Sequence, residues 1–325
     1  MTFFREQILK RRNKKSETLA VHRKVCLRHP MSSHANAKRV RDEGILNAGS
    51  GGLKRRVEEA GGGSNSASED DDEAGHVELA VGESIADMYR YIALGGKGTF
   101  GKVLLCEDRA VPVSAGQAAR TVAVKVVRRI RKYSESALIE ADILENIARA
   151  DPTGASGAVR FYHRLNWKGH ECMVFEPLGI SLFDYVKANA YRPLPLYCVQ
   201  SFADQLTRTI AFLHALRIVH TDLKLENVLL ASTSRLAMAS KMTSARDSRP
   251  VLAPATTEIK LIDFGGATHL PPNAPPHSGL INTRQYRSPE VILGMPWSFP
   301  SDVWSLGCIL MEIYTGELLF PTVSL

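Results

Sequence analysis

Four polar residues of different chemical type stand close together in one short stretch: His220, Asp222, Lys224 and Asn227, spaced H-x-D-x-K-x-x-N. Together they carry what is needed to move a phosphoryl group. A carboxylate such as Asp222 can accept a hydroxyl proton, an ammonium such as Lys224 can neutralise a transferring phosphate, and Asn227 offers a carbonyl oxygen to a hard cation. Apolar residues flank them on both sides, Ile218-Val219 before and Val228-Leu-Leu230 after. The four therefore sit on a polar loop between two strand-like runs. A polar surface turn would read the same way, so the rest of the chain has to supply their partners.

Several other stretches offer such partners. Ile92 to Cys106 reads as strand, glycine turn, strand, with Gly96, Gly98, Gly101 and Val103 in the pattern G-x-G-x-x-G-x-V. Glycines without a Cβ let backbone N–H groups approach phosphate oxygens; a flexible hairpin is the plainer alternative. A dinucleotide-binding loop would open into a helix. Here Val103, Leu104 and Leu105 continue as a second strand, which favours a hairpin lying over phosphates. Thr121-Val-Ala-Val-Lys-Val-Val127 alternates like a strand. Its Lys125 is either an edge charge or a lysine holding α- and β-phosphates.

The phosphate-holding role requires a glutamate partner. The helix read over Ser134 to Ala150, with Ala137, Ile139, Ile143, Leu144 and Ile147 on its apolar side, places Glu140 midway along. Glu135 and Glu145 compete with it, and any of the three also suits an exposed helix surface. Cys172 to Gly179 is an apolar strand ending at a proline and a glycine, with Phe175 its last bulky residue. That is where a chain would pass from a small lobe to a large one, with backbone groups near Glu176 and Leu178 placed to meet an adenine edge. A helix over Tyr197 to Leu216 then delivers the chain to the polar loop. Residues 231–257 are polar and Ser-rich and read as an exposed insertion. Ile259 to Thr268 reads as a buried strand ending in Asp263-Phe-Gly265. Asp263 is the expected second Mg²⁺ ligand beside Asn227. Asp302 opens a strongly apolar helix, either bracing the loop from beneath or serving as a helix cap.

The first third has a different texture. Basic clusters at Lys10 to Lys15, Lys38 to Arg41 and Lys54 to Arg56 precede a Gly/Ser stretch and the acidic run Glu69-Asp-Asp-Asp-Glu73. Such composition buries too little apolar surface to offset chain entropy, so residues 1–88 read as a disordered tail. Its basic clusters suit nuclear import, nucleic-acid contact or plain solvation, and Phe3-Phe4 before basic residues also suits an organelle presequence. In a chain of 325 residues with a formal charge of +7, the five cysteines are scattered and form no C-x-x-C pair. That argues for a reducing compartment without a disulfide framework or zinc site. No apolar run approaches the ~20 residues needed to span a bilayer.

Five motifs in this order resemble the protein kinases, over about Tyr89 to Thr322. The resemblance implies an α+β bilobal fold: a β-rich small lobe and hinge over 89–178, then a helical large lobe over 179–325. It implies ATP and Mg²⁺, with Lys97, Thr99, Phe100, Val103, Ala123, Lys125, Phe175 and Leu229 around the nucleotide besides the three glycines and the hinge. Thr283 would bond Asp222 and Lys224 from the activation segment. Lys224 resembles the serine/threonine class, and Thr283-Arg-Gln-Tyr-Arg-Ser-Pro-Glu290 resembles the CMGC group. His220-Thr-Asp222, with threonine where most kinases carry arginine, resembles the LAMMER (CDC-like) and SR-protein kinases. The hinge, Asp302 to Cys308 and Phe320-Pro-Thr322 favour the LAMMER branch. That branch implies phosphorylation of Ser/Arg-rich splicing factors in the nucleus, with some tyrosine autophosphorylation. The cytoplasm stays open as a location, and nucleic-acid contact falls to the basic tail rather than the kinase domain.

Two departures stand out. Leu225 replaces the usual proline. The chain also stops at Leu325, where the family runs on into its E-H-L-A-M-M-E-R signature, so the last helices of the large lobe are expected to be missing. So is the arginine that pairs with the glutamate at position 290. A buried, unpaired Glu290 would cost ~3–5 kcal/mol. The competing reading is thus a shortened kinase-like fragment that binds partners or nucleotide without turnover. The complete polar set favours the enzyme.

Overall fold

A computed structural model of the chain describes residues 75–111, 119–234, 237–239 and 251–321. The tail expected over residues 1–74 lies outside the described residues. The rest of that tail, 75–88, is not a tail. Val77 and Ile85 are buried in the small-lobe core, and strand β1 (Ser84–Ile85) pairs with β2 (Tyr89–Gly98). The Lys102 ammonium donates to the Val77 carbonyl at 3.0 Å. The small lobe therefore begins well before Tyr89. Its first apolar residues fall in two short runs, Val77 to Val81 and Ile85 to Met88, each broken by polar residues and too short to carry a clear period.

Strands β3 (Gly101–Asp108), β4 (Thr121–Val127), β5 (Phe161–Trp167) and β6 (His170–Phe175) complete a six-stranded sheet in the order β1-β2-β3-β4-β6-β5. Side chains alternate across it. Leu104, Cys106, Val122, Val124, Val126, Cys172 and Val174 form one core with Tyr89 and Ile85. The opposite parity carries the chemistry: Val103 lies across from Lys125, Ala123 across from Phe175, and Lys125 across from Met173.

Helix α1 (Arg131–Ala150) covers that second face. It buries Ala137, Glu140, Ala141, Ile143, Leu144 and Ile147. Ile139, expected on this stripe, is 62% exposed. The reason is the helical period: once Glu140 and Ala141 share the buried face with Ala137 and Leu144, residue 139 must point outward. The helix also starts three residues before the expected Ser134. Replacing fully buried Leu144 by alanine would cost ~2–5 kcal/mol and loosen the element that carries Glu140.

The large lobe packs helices α2 (Leu182–Ala188), α3 (Leu196–Ala215) and α5 (Pro300–Thr315) around the second core, while α4 (Pro289–Ile292) puts Val291 into a smaller cluster with Val219, Leu270 and Trp297. Ser181 caps α2 by accepting the Asp184 N–H. Gly316, at φ 76°, closes α5 in the left-handed conformation. Short ladders join the loops: β7 (Ile218–Val219) with β12 (Thr268–His269), β8 (Val228–Leu230) with β11 (Ile259–Leu261), and β9 (Ala237–Ala239) with β10 (Val251–Ala253). The insertion expected to be exposed and featureless over 231–257 is thus partly structured. Asn189 holds Leu252 by a pair of hydrogen bonds, 2.9 Å to its N–H and 3.2 Å from its carbonyl, and Gln205 donates to the Thr257 carbonyl. Its middle, 240–250, lies outside the described residues. Among the described residues no helix is long and apolar enough to cross a membrane.

Candidate active site

Strand β4 projects Lys125 from the sheet toward α1, where both Glu140 oxygens accept its ammonium at 2.7 Å. The Asp263 Oδ1 lies 3.8 Å from the same nitrogen. Burial raises the Glu140 carboxyl above its ordinary value, and the neighbouring Lys125 only partly offsets that. The competing Glu135 pairs instead with Arg131, and Glu145 with Arg164. Phe264, following Asp263, is buried, edge-on to the His220 ring at 5.1 Å. This packing turns Asp263, 43% exposed in its side chain, toward the lysine rather than the core.

The loop between β7 and β8 gathers the second cluster. Thr283 reaches Asp222 Oδ1 twice, with its hydroxyl at 2.7 Å and its backbone N–H at 3.1 Å. Lys224 donates to Asp222 Oδ2 at 2.6 Å and to the Thr283 hydroxyl at 3.2 Å. Asn227 donates its amide N–H to the Asp222 carbonyl at 2.9 Å. Burial alone would raise the Asp222 carboxyl. The bonds from Lys224 and Thr283 outweigh it, and the group lies below its ordinary value.

A strand-end residue ties the two clusters together. Ile262, next to Asp263, donates its N–H to the Asn227 carbonyl at 2.9 Å, and its own carbonyl meets His220 Nε2 at 3.0 Å. His220 Nδ1 accepts the Asp222 N–H at 3.3 Å, which leaves the ring proton on Nε2. Beneath the loop, fully buried Asp302 accepts from the backbone N–H groups of His220 and Thr221 at 2.9 and 3.1 Å. Asp302 is therefore a brace rather than a helix cap. Its remaining partner, the His214 ring at 2.9 Å, was not foreseen. His214 lies on α3, the helix read from the sequence only as delivering the chain to the loop.

The remaining candidates lie on the β2–β3 hairpin, on β3, β4, β6 and β8, and just after β6. Gly96, Lys97, Gly98, Thr99, Phe100 and Gly101 form the tip of the β2–β3 hairpin. A Cβ on Gly96 or Gly98 would meet nothing within 4 Å, so the room their glycines leave is open, whereas one on Gly101 would run into the Val126 carbonyl. Ala123 is 9% exposed, and Phe175 and Leu178 pack on the large core. The Glu176 N–H is already taken by the Arg160 carbonyl at 3.1 Å, and its side chain by the Arg160 N–H at 2.8 Å. Of its backbone groups, that leaves the carbonyl to meet a ligand. Leu229 is half-buried between core residues Val228 and Leu230.

Asn227 and Asp263 are two hard oxygen donors, few enough to suit a small cation that also takes waters and substrate oxygens. Because the Asn227 nitrogen is committed to Asp222, its oxygen is turned to the other side. The donor set fits Mg²⁺ in chemistry. The expected cost at Glu290 is not incurred in full: that carboxylate is half-exposed, at the edge of an open apolar groove with Phe299, Val303, Trp304 and Met311. Only partly buried there, it does not carry the full cost of an unpaired buried charge. The four described cysteines are buried and free.

A two-lobed arrangement with a lysine–glutamate pair above and a braced aspartate loop below defines a phosphoryl-transfer class of protein. The sequence profile of the protein kinase domain matches residues 89–324, and the chain belongs to that family. Dual specificity protein kinase lkh1 of Schizosaccharomyces pombe is 42% identical over 76% of this chain and 34% of its own length. Serine/threonine-protein kinase AFC3 of Arabidopsis thaliana is 41% identical over 76% of this chain and 60% of its own. Dual specificity protein kinase CLK2 of Homo sapiens is 38% identical, over 76% and 47%. These relatives agree with the subgroup read from His220-Thr-Asp222. A crystal structure of a kinase domain superposes with a TM-score of 0.67 at 37% identity, covering 77% of this chain and 71% of the other. The chain spans between 34% and 60% of the length of those curated relatives.

Proposed function

We propose that this chain transfers the γ-phosphate of ATP to serine and threonine hydroxyls of proteins, with tyrosine as a secondary acceptor. The proposed substrates are Ser/Arg-rich splicing factors, met in the nucleus, where the basic clusters of the tail would direct the chain. The observation that carries this reading is Asp222: an ionised carboxylate held at both oxygens by Thr283 and Lys224, in a fold where Lys125 is already paired with Glu140.

Lys125 would hold the α- and β-phosphates, kept in place by Glu140, beneath the backbone of Gly96 to Gly101. Ala123, Val103, Phe175 and Leu229 would enclose the base, with the carbonyl of Glu176 and the backbone of Leu178 at its polar edge. Asn227 and Asp263 would hold Mg²⁺, which supplies charge neutralisation on the phosphate oxygens. A carboxylate with a lowered pKa is ionised at neutral pH but a weak base. Asp222 would therefore chiefly orient the acceptor hydroxyl and take its proton late, while Lys224 offsets the charge building on the transferred group.

The test is incubation of the full chain with labelled ATP, Mg²⁺ and a peptide of Arg-Ser repeats, beside the same peptide with alanine for serine. Label on the serine peptide alone is expected. Nucleotide binding without label transfer to any protein acceptor would overturn the reading.

A further inference from the structure

The glycine hairpin does not hang free over the cleft. Its tip residue Phe100, 54% exposed, packs edge-to-face on Tyr133, with centroids 5.3 Å apart and planes at 85°. Tyr133 is the third residue of helix α1, two turns before Glu140, so both side chains lie on one side of the helix. Arg128, only 4% exposed, fixes the same tip from the strand side. Its backbone N–H donates to the Phe100 carbonyl at 2.9 Å and its guanidinium to the Thr99 carbonyl at 3.2 Å. That guanidinium also lies 5.5 Å from the Tyr133 ring centre, and the Lys132 ammonium lies 5.9 Å from it. Ring, cation and loop carbonyls form one contact that spans loop, strand and helix.

We infer that Tyr133 is a positioning residue: its ring holds the Phe100 tip closed and couples the phosphate-covering hairpin to the helix that presents Glu140. The inference rests on the nucleotide-cleft reading above for its consequence, though not for the contact itself. A loop already held near its closed position gives up less freedom when a triphosphate enters. The ring alone makes the contact, so phenylalanine should serve as well as tyrosine, whereas alanine should free the tip. Loss of an edge-to-face pair corresponds to about a 2- to 10-fold change.

The experiment compares the full chain with Tyr133→Ala, Tyr133→Phe, Phe100→Ala and the Phe100→Ala/Tyr133→Ala double variant. Hydrogen exchange of residues 96–103 without nucleotide is read beside KM for ATP and kcat. For Tyr133→Ala we expect exchange faster by about 2- to 10-fold and KM raised by a similar factor, with kcat within about twofold. Tyr133→Phe should match the wild type, and the double variant should be no worse than either single one. Unchanged exchange in Tyr133→Ala, additive effects in the double variant, or a fall in kcat at constant KM would overturn the proposal. If the wild type binds no nucleotide while exchange still responds to Tyr133→Ala, the phosphoryl-transfer reading fails and the coupling stands.

Discussion

Thr283 holds Asp222 Oδ1 through both its hydroxyl and its backbone N–H, at 2.7 and 3.1 Å. The activation segment thus orients the candidate base directly, and only the hydroxyl half of that grip depends on the side chain. A hydrogen bond to a charged group is worth about 1.5–3 kcal/mol. Thr283→Ala should therefore lower kcat by about tenfold or more while KM for ATP holds, and Thr283→Ser should restore it. Steady-state kinetics of the three forms checks this; an unchanged kcat in the alanine form would refute it.

Thr221 ties both ends of the segment to the loop. Its hydroxyl donates to the Gly266 carbonyl at 2.7 Å and its carbonyl accepts the Asn282 N–H at 2.9 Å. Asp302 fixes its own N–H. Thr221 with these bonds stands where most kinases carry an arginine that a phosphate can engage. Phosphatase treatment of purified protein should leave kcat within about twofold, since Thr221 offers no guanidinium for a phosphate to engage. A large loss that returns on rephosphorylation would contradict this.

The two carboxylates titrate in opposite senses. Burial raises Glu140 above 4.5, whereas the bonds from Lys224 and Thr283 bring Asp222 below 3.8 against its own burial. As pH falls, Glu140 protonates first and its pair with Lys125 is lost. In stability the Glu140 contribution is full below 4.5 and is lost as pH rises through its folded pKa. That of Asp222 is present above 3.8 and is lost as pH falls through its folded value. The pH profile of kcat/KM for ATP should show an acid limb with its midpoint above 4.5. Glu140→Gln should lower the plateau and remove that limb. A limb that persists unchanged in the variant would rule out Glu140 as its source.

In the proposed site Asp263 and Asn227 would offer the cation few ligands, so each should count heavily. Asp263→Asn keeps the shape and removes the charge. It should raise the Mg²⁺ concentration for half-maximal activity by about tenfold or more, and chelation should abolish transfer in the wild type. Equal Mg²⁺ dependence in both forms would remove Asp263 from the metal site.

Lys125, Asp222, Asn227 and Asp263 were legible in the sequence because each sits inside a short motif between apolar runs, whereas Glu140 was favoured over Glu135 and Glu145 only by its place midway along the helix. The two clusters they form follow from those elements. Val77 and Ile85 were hidden because their apolar runs are too short to show a period, and Ile139 was misread because a buried glutamate took its place on the helix stripe. His214 was missed for a different reason. It is one of several polar residues on an amphipathic helix, with nothing to set it apart, and its partner Asp302 lies 88 residues away. The Phe100–Tyr133 contact likewise joins two elements whose separate patterns say nothing of each other.

The central claim is that Asp222 acts on the acceptor hydroxyl within one assembled site, and single-turnover phosphoryl transfer by the full chain measures it most directly. Asp222→Asn, with ATP affinity held, should transfer about 10²–10⁴-fold more slowly than the wild type. Equal rates in the two forms, with both binding Mg·ATP, would contradict the account.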